Sequence, residues 1–435
     1  MLTAFARAFK TPDLRKKLLF TLGIVVVFRM GAHIPVPGVN FSAVQACVSA
    51  SQKSSSNLLG LVNLFSGGAL LQITIFALGI MPYITSSIIL QLLTVVIPRL
   101  DALKKEGQAG QTKITQYTRY LTIALAILQA TGIVATASSG ALFSGVNCDT
   151  SQIVPRQGIF DIAVMVITMT AGTVVIMWLG ELITDRGIGN GMSILIFTSV
   201  AAQFPSALWS IRTSKGWATF AFVIIMGLAM VALVVFVEQA QRRIPVQYAK
   251  RMIGRRAYGG TSTYIPLKVN QAGVIPVIFA SSLLYIPGLV VTLSGSTAPW
   301  AVWVTTNLTK SDKPLYALLY FVLIVFFAFF YVAISFNPEE VADNMKKYGG
   351  FIPGIRAGRP TAEYLNYVLT RITWPGAMYL GLIALVPLVA LGLFGASQNF
   401  PFGGTSILIV VGVGLETVKQ IESQLQQRNY EGFLR

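Results

Sequence analysis

Ten long apolar runs, separated by polar or glycine-rich segments, divide the sequence. They cover residues 18–36, 69–97, 115–138, 157–181, 187–209, 216–238, 271–293, 314–336, 372–394 and 403–418. A helix of about 20 apolar residues crosses the hydrocarbon core of a bilayer, and most of the runs have about that length. Arg29 is the only charged residue well within a run. The pattern therefore predicts an all-α integral membrane protein with ten transmembrane helices.

Composition and charge support this prediction and give it an orientation. Hydrophobic residues make up 54% and charged residues 11% of the chain, whereas soluble domains contain about 25% charged residues. The net charge is +17, and lysine and arginine collect on the cytoplasmic side of membrane proteins. With a cytoplasmic N-terminus, 26 of the 33 basic residues fall in cytoplasmic segments and 7 in outer ones. We therefore expect a multi-pass protein of the cytoplasmic (inner) membrane, with both termini in the cytoplasm and an uncleaved first helix.

Two sequence patterns recur five runs apart. GIMPYITSS at 79–87 aligns with GVIPVIFAS at 273–281, and GMSILI at 191–196 aligns with GTSILI at 404–409. Because five is odd, the paired helices would run in opposite directions, which is the signature of an inverted-topology repeat. The halves would be residues 1–215 and 216–435, and sites in such proteins lie near the midplane where the halves meet. Four matched isoleucines lie near the middles of their runs: Ile84, Ile278, Ile196 and Ile409.

Catalytic and metal-binding motifs are absent from the sequence. It has no H-E-x-x-H, G-x-S-x-G or P-loop pattern, so the chemistry that these motifs support is not indicated. One histidine, His33, and two cysteines leave little for a metal site. We expect neither enzymatic activity nor a cofactor.

Ion-coupled transport of a small solute is the alternative class for an inverted repeat. Such carriers place charged residues at the midplane, but no carboxylate lies near the middle of a run here. A ring of branched aliphatic side chains would instead form a dry constriction that excludes water and ions. The pattern favours a conduit for a large, chemically varied passenger.

Two long cytoplasmic loops, at 239–270 and 337–371, carry basic residues. The first holds seven, with no acidic residue. One interpretation is that these basic residues only set the membrane topology and attract anionic lipid headgroups. The other is docking of a large anionic partner, such as ribosomal RNA or an acidic protein face. The length of these loops, on one side only, favours a partner.

Two features of the outer segments have alternative interpretations. Residues 57–68 are apolar but too short to cross the membrane. They form either an interfacial helix or a re-entrant segment, which is tolerated only when buried in protein. Cys47 and Cys148 both fall in outer segments. They either pair in an oxidising compartment or remain two small unpaired residues.

Seven specific motifs are distributed along nearly the whole chain. They are NLFSGGAL at 63–70, LGIMPYI at 78–84, ITDRGIGNG at 183–191, QRRIP at 241–245, VNQAGVIP at 269–276, FIPGIR at 351–356 and FGGTS at 402–406. Together they resemble bacterial SecY, the family of channel subunits of the Sec protein translocase. The resemblance implies ten spans in two inverted halves around a central protein-conducting channel. It also implies as partners the SecE and SecG subunits, the SecA motor, the ribosome and preproteins with signal sequences.

The resemblance assigns residues to four elements of the channel. The pore ring maps to Ile80, Ile84, Met192, Ile196, Ile278 and Ile409. The plug maps to about 57–68, including Asn63, Leu64, Phe65, Ser66, Gly67 and Gly68. The lateral gate, between spans 2–3 and 7–8, maps to Thr85, Ser87, Gln91, Ser281 and Ser282. Docking of the motor and the ribosome maps to Arg251, Arg255, Arg256 and Arg356.

Overall fold

The structure of the chain is a computed structural model, and helices make up most of it. It describes residues 9–51, 66–138, 140, 153–155, 158–248, 251–253, 256–258, 262–294, 298–308, 313–394 and 404–431. The helices before the first strand are α1 Pro12–Gly31, α2 Phe41–Ser51, α3 Met81–Val96, α4 Pro98–Lys105, α5 Gln108–Ser138, α6 Ile159–Arg186, α7 Gly191–Ala201 and α8 Phe204–Gln239. The later helices are α9 Ile275–Ser294, α10 Pro299–Asn307, α11 Pro314–Ser335, α12 Pro338–Lys347, α13 Arg359–Phe394 and α14 Gly404–Glu431. Proline lies in the first turn of nine of them, where its missing N–H costs nothing: α1, α3, α4, α8, α9, α10, α11, α12 and α13.

Several of these helices are long and apolar enough to cross a membrane. Within the described residues there are six, or seven if α3 and α4, which meet at 101°, form one broken span. The six are Gln108–Ser138, Ile159–Arg186, Gly191–Thr213, Gly216–Gln239, Pro314–Lys347 and Arg359–Val386. A described helix overlaps each of the ten predicted runs. The multi-pass membrane class is therefore confirmed, while the number of ten spans stays a prediction.

The second predicted run, 69–97, is not one continuous helix. Residues 66–80 form turns, and α3 begins only at Met81. The φ angles of Gly68 and Gly79 are 93° and 57°, in a left-handed region that a right-handed helix excludes. The expectation of a helix over 69–80 was wrong, because the apolar pattern does not show which residues adopt left-handed φ angles.

Residues 66–80 nevertheless keep their backbone hydrogen bonds away from lipid. Val36 N donates to Ile73 O at 3.1 Å, and Ile75 N donates to Ile34 O at 3.0 Å. Irregular backbone at membrane depth is tolerated only when protein surrounds it. Much of this segment is buried, so the chain meets that requirement.

The two basic loops meet in a small three-stranded sheet, and the first loop also forms a separate two-stranded sheet; the sequence pattern predicted neither. The strands are β1 Gln241–Tyr248, β2 Arg251–Ile253, β3 Arg256–Tyr258, β4 Ser262–Lys268 and β5 Gly350–Phe351. Antiparallel pairing gives the order β4-β1-β5, and β2 pairs with β3. The expectation of an all-α fold is therefore right for most of the chain and wrong for these loops.

Candidate functional site

Six apolar side chains from separate parts of the chain lie in one hydrophobic cluster. They are the predicted ring residues Ile80, Ile84, Met192, Ile196, Ile278 and Ile409. Four of them are buried, and Ile84 and Met192 are partly buried. The turn before α3, α3 itself, α7, α9 and α14 supply them. The structure thus brings together residues that are more than 300 positions apart in sequence.

A side-chain cap defines the start of α7, one of the helices that carry this cluster. Asn190 caps α7, because its Oδ1 accepts hydrogen bonds from the backbone N–H groups of Met192 and Ser193 at 3.0 and 3.4 Å. Such caps satisfy N–H groups that have no partner within the helix.

Ile407 and Ile409 share α14, but Ile407 packs in a different cluster with side chains of α11 and α13. The two faces of α14 therefore serve different parts of the core.

A cavity of about 460 Å³ lies beside the cluster. Ile84, Met192, Ile196 and Ile278 of the predicted ring form part of its wall, together with Ser87 and Gln91 of the predicted gate. Helices α3, α5, α6, α7 and α9 all contribute lining residues. One side of the cavity is therefore apolar, and it borders the place where α9 packs against α3 and α5.

A bidentate ion pair forms part of the polar wall of this cavity. Arg119 of α5 donates through Nε and Nη2 to the two carboxylate oxygens of Glu181 of α6, at 2.9 and 2.8 Å. Paired hydrogen bonds of this kind fix orientation as well as distance. The two residues are 62 positions apart, and no local pattern in the sequence links them, so this pair was not predicted.

The predicted gate residues make hydrogen bonds mainly within their own helices. Thr85 Oγ1 donates to Met81 O at 2.9 Å, and the hydroxyls of Ser281 and Ser282 donate to Ile278 O at 2.9 and 2.8 Å. Ser86, between two of the predicted gate residues, instead bridges two helices. Its hydroxyl is buried and donates to Thr118 O of α5 at 2.7 Å.

The described end of the predicted plug is held between α1 and α7. Gly67 O accepts a hydrogen bond from Arg29 Nη1 at 3.2 Å. A Cβ atom at Gly67 would lie 3.3 Å from Ser199 Cα. Ser66 is buried and its Oγ accepts from Leu70 N at 3.1 Å. The other named plug residues, Asn63, Leu64 and Phe65, lie outside the described residues.

The predicted docking residues are placed on or near the small sheets. Arg251 and Arg256 lie on the paired strands β2 and β3, and Arg255 lies outside the described residues. Arg356 is exposed in the loop after β5, and its carbonyl accepts from Thr361 Oγ1 at 2.8 Å. Because β5 pairs with β1, the two basic loops form one surface.

Cys47 is buried at 1% exposure and is disulfide-bonded. The sequence has only one other cysteine, Cys148, which lies outside the described residues. Of the two alternatives for Cys47, the structure supports a disulfide.

Comparisons with known proteins agree with this geometry. A model of the SecY family matches residues 74–418. The protein translocase subunit SecY of Streptomyces scabiei is 78% identical over 440 residues, which cover 100% of each chain. Among solved structures, a protein-conducting channel has a TM-score of 0.61 at 18% identity, covering 94% of this chain and 91% of that one. Sec61 from a canine ribosome–channel complex has a TM-score of 0.57 at 15% identity, with the same coverage, 94% and 91%.

At such low identities the structural likeness shows the fold alone, and the sequence matches show the family. The chain matches the family model over most of its length and a translocase subunit from end to end. The resemblance inferred from the seven motifs is thereby confirmed. This chain belongs to the SecY family of protein-conducting channel subunits.

Proposed function

We propose that this chain passes unfolded, signal-bearing polypeptides across the cytoplasmic membrane and releases transmembrane segments sideways into the lipid. The observation that carries the proposal is the convergence of six predicted ring residues in one apolar cluster beside a cavity that reaches α3 and α9. The proposed topology has ten spans in two inverted halves, 1–215 and 216–435. Both termini lie in the cytoplasm, because that orientation places 26 of 33 basic residues inside.

The apolar cluster would act as the seal of the resting channel. Water inside a constriction of branched aliphatic side chains cannot keep its hydrogen bonds, so the constriction stays dry and excludes ions. Such a ring binds no particular passenger, which suits polypeptides of varied sequence. Met192 makes one side of the ring more adaptable, since methionine is unbranched and flexible.

The lateral exit would open where α9 separates from α3 and α5. Thr85, Ser281 and Ser282 keep their hydrogen bonds to their own helices, so these bonds survive when the helices part. Separation therefore replaces apolar contacts between helices mainly with apolar contacts to lipid or to a passenger. A hydrophobic signal segment would lower the cost of that state and shift the equilibrium toward it.

The plug would be the segment 57–68, entering the channel from the outside. Gly67 and Gly68 at its end have φ angles of 69° and 93°, which glycine adopts at little cost. These residues would serve as the hinge on which the plug leaves the pore.

The sheet formed by the two basic loops would be the docking surface for the partner that drives translocation. The SecA motor and the ribosome are the proposed partners at this sheet. SecE and SecG are the proposed companion subunits. Anionic lipids would bind the remaining basic residues. The fold of canine Sec61, solved in a ribosome–channel complex, supports ribosome docking by likeness. The chain itself would bind no cofactor and catalyse no reaction.

Import into vesicles tests the proposal. Vesicles that hold this chain with SecE receive SecA, ATP and a signal-bearing preprotein, and protease protection of the preprotein is measured. We expect protection that needs all components, and none for the same preprotein without its signal. Saturable uptake of a small solute along an ion gradient, without preprotein import, would support the carrier class instead.

A further inference from the structure

A partly buried polar contact closes the base of the basic hairpin formed by β1 and β4. Asn270 Nδ2 donates to Glu238 Oε1 at 2.5 Å. Glu238 lies at the end of α8, just before β1, and Asn270 follows β4. Asn270 is only 3% exposed and Glu238 is partly buried, so the contact is partly shielded from water, which strengthens it. We refer to the pair Glu238 and Asn270 as the clasp.

On the cytoplasmic side the clasp continues directly into the hairpin. Strands β1 and β4 pair from Gln247↔Ser262 to Gln241↔Lys268. The ladder extends one step further, because Val269 N donates to Ala240 O at 3.0 Å. The hairpin is therefore hydrogen-bonded down to its base, and a force on it reaches the clasp without passing a flexible segment.

On the membrane side the clasp is joined to the start of α9. The same Asn270 Nδ2 donates to Gly273 O at 3.2 Å, two residues before α9 begins. α13 lies close behind this backbone, since a Cβ atom at Gly376 would lie 2.4 Å from Val269 O. The backbone at the clasp therefore has no room to move toward α13.

Three charged side chains act on the Glu238 carboxylate. Lys268 and Lys419 attract the Glu238 carboxylate, and Glu416 of α14 repels it. A carboxylate at the end of a membrane helix normally needs such partners. Glu416 thus provides a neighbouring carboxylate that shares the electrostatic environment of Glu238 without belonging to the clasp.

We propose that Glu238 is a positioning residue that couples the hairpin to α9 through Asn270, so that a partner seated on the hairpin shifts the start of α9. The inference rests on the proposed function, in which the hairpin docks the motor and α9 borders the lateral exit. Its consequence is a separation of two quantities: the hairpin binds its partner with or without the clasp, but only the intact clasp passes the effect of binding on to α9.

The test measures motor affinity and import rate separately, with this chain and SecE in vesicles. A hydrogen bond to a charged group changes an equilibrium by about tenfold to a hundredfold. We expect Glu238→Ala to lower the import rate at saturating SecA by about tenfold, with the Kd for SecA changed by less than about twofold. Glu238→Gln, which keeps an oxygen acceptor, should restore most of the rate.

Two comparisons distinguish coupling from general damage. Asn270→Ala removes the contacts to both Glu238 and Gly273, so it should lose at least as much import as Glu238→Ala. The double variant should be no worse than Asn270→Ala alone, because that variant already lacks the contact to Glu238. Glu416→Ala is the matched control and should import at the wild-type rate. If Glu238→Ala does not assemble with SecE, Asn270→Ala compared with Glu238→Gln provides the same test.

Three results would overturn the inference: unchanged import by both clasp variants, equal losses of affinity and import, or additive losses in the double variant. Failure of the wild-type vesicles to import any preprotein would instead contradict the proposed function. The two failures are therefore distinguishable.

Discussion

Gly79 and Gly273, which the internal repeat aligns, adopt the same left-handed backbone conformation, with φ angles of 57° and 61°. Each lies two residues before a helix, α3 for Gly79 and α9 for Gly273. The second aligned pair behaves alike, because Gly191 and Gly404 are the first residues of α7 and α14. The repeat in sequence is therefore also a repeat in local structure, which supports the proposal of two related halves.

Replacing Gly273 tests this backbone requirement. Gly273→Ala should destabilise the protein by about 1–2 kcal/mol, because an L-residue pays that cost in the left-handed region. Crowding does not contribute, since no atom lies within 4 Å of the added Cβ. The measurement is thermal unfolding of the purified complex with SecE.

Gly414 of α14 is the control, because its Cβ would also meet no atom within 4 Å and its φ angle is not positive. Gly414→Ala should leave stability unchanged or raise it by up to about 1 kcal/mol, since alanine favours helix. Equal unfolding temperatures for the two variants would show that Gly273 does not need a left-handed conformation.

Periodicity and apolar length predicted a helix in each of the ten runs, and the repeat predicted four side chains of the apolar cluster. The family resemblance added Ile80 and Met192. The predictions that were wrong or missing depend on backbone conformation and long-range contacts, which no local pattern contains. The apolar residues before Met81 match a helical pattern, yet they form buried turns, and Gly79 there has a left-handed φ angle.

Long-range pairing was equally invisible in the sequence. Arg119 and Glu181 each stood near the end of a run without a visible partner, and only the packing of α5 on α6 joins them. The sheet was missed for the same reason, since β5 reaches β1 from a loop about 100 positions away.

The disulfide of Cys47 gives a prediction about redox chemistry. Because Cys47 is buried, the test uses the protein unfolded in denaturant. We expect Cys47 to resist alkylation there until it is reduced, and Cys148 to become reactive in the same step. Cys47→Ser should lower stability by about 2–5 kcal/mol, which is the usual loss on removal of a native disulfide. Mass spectrometry after alkylation, with and without a reductant, is the measurement. Complete labelling of Cys47 without reductant would contradict the prediction.

Arg29 should hold the described end of the plug. Arg29→Met removes the donor to Gly67 O and leaves a side chain of similar length. We expect faster hydrogen exchange at the backbone amides of 66–70, by about tenfold, because one partly buried hydrogen bond from a charged group is lost. The matched control is Arg15→Met, which changes an exposed arginine of the same helix. Equal protection in both variants would remove Arg29 from this role.

Arg356 should be needed for motor docking. Arg356→Glu places a negative charge where an acidic partner surface would sit, and like charges repel. We expect SecA-driven import to fall by about tenfold or more with unchanged protein level, since an exposed side chain contributes little to folding. Arg359→Glu, at a neighbouring exposed position, is the control and should retain import. Normal import by Arg356→Glu would exclude the assignment.

The apolar cluster should seal the resting channel, and ion conductance in a planar bilayer tests this role most directly. Ile409 and Ile407 are both 1% exposed on α14, but they point about 200° apart around the helix. An asparagine in the ring gives water a hydrogen-bond partner and weakens the dry seal. Ile409→Asn should therefore conduct ions in the resting state, while wild type and Ile407→Asn remain closed. Equal resting conductance for wild type and Ile409→Asn would contradict the account.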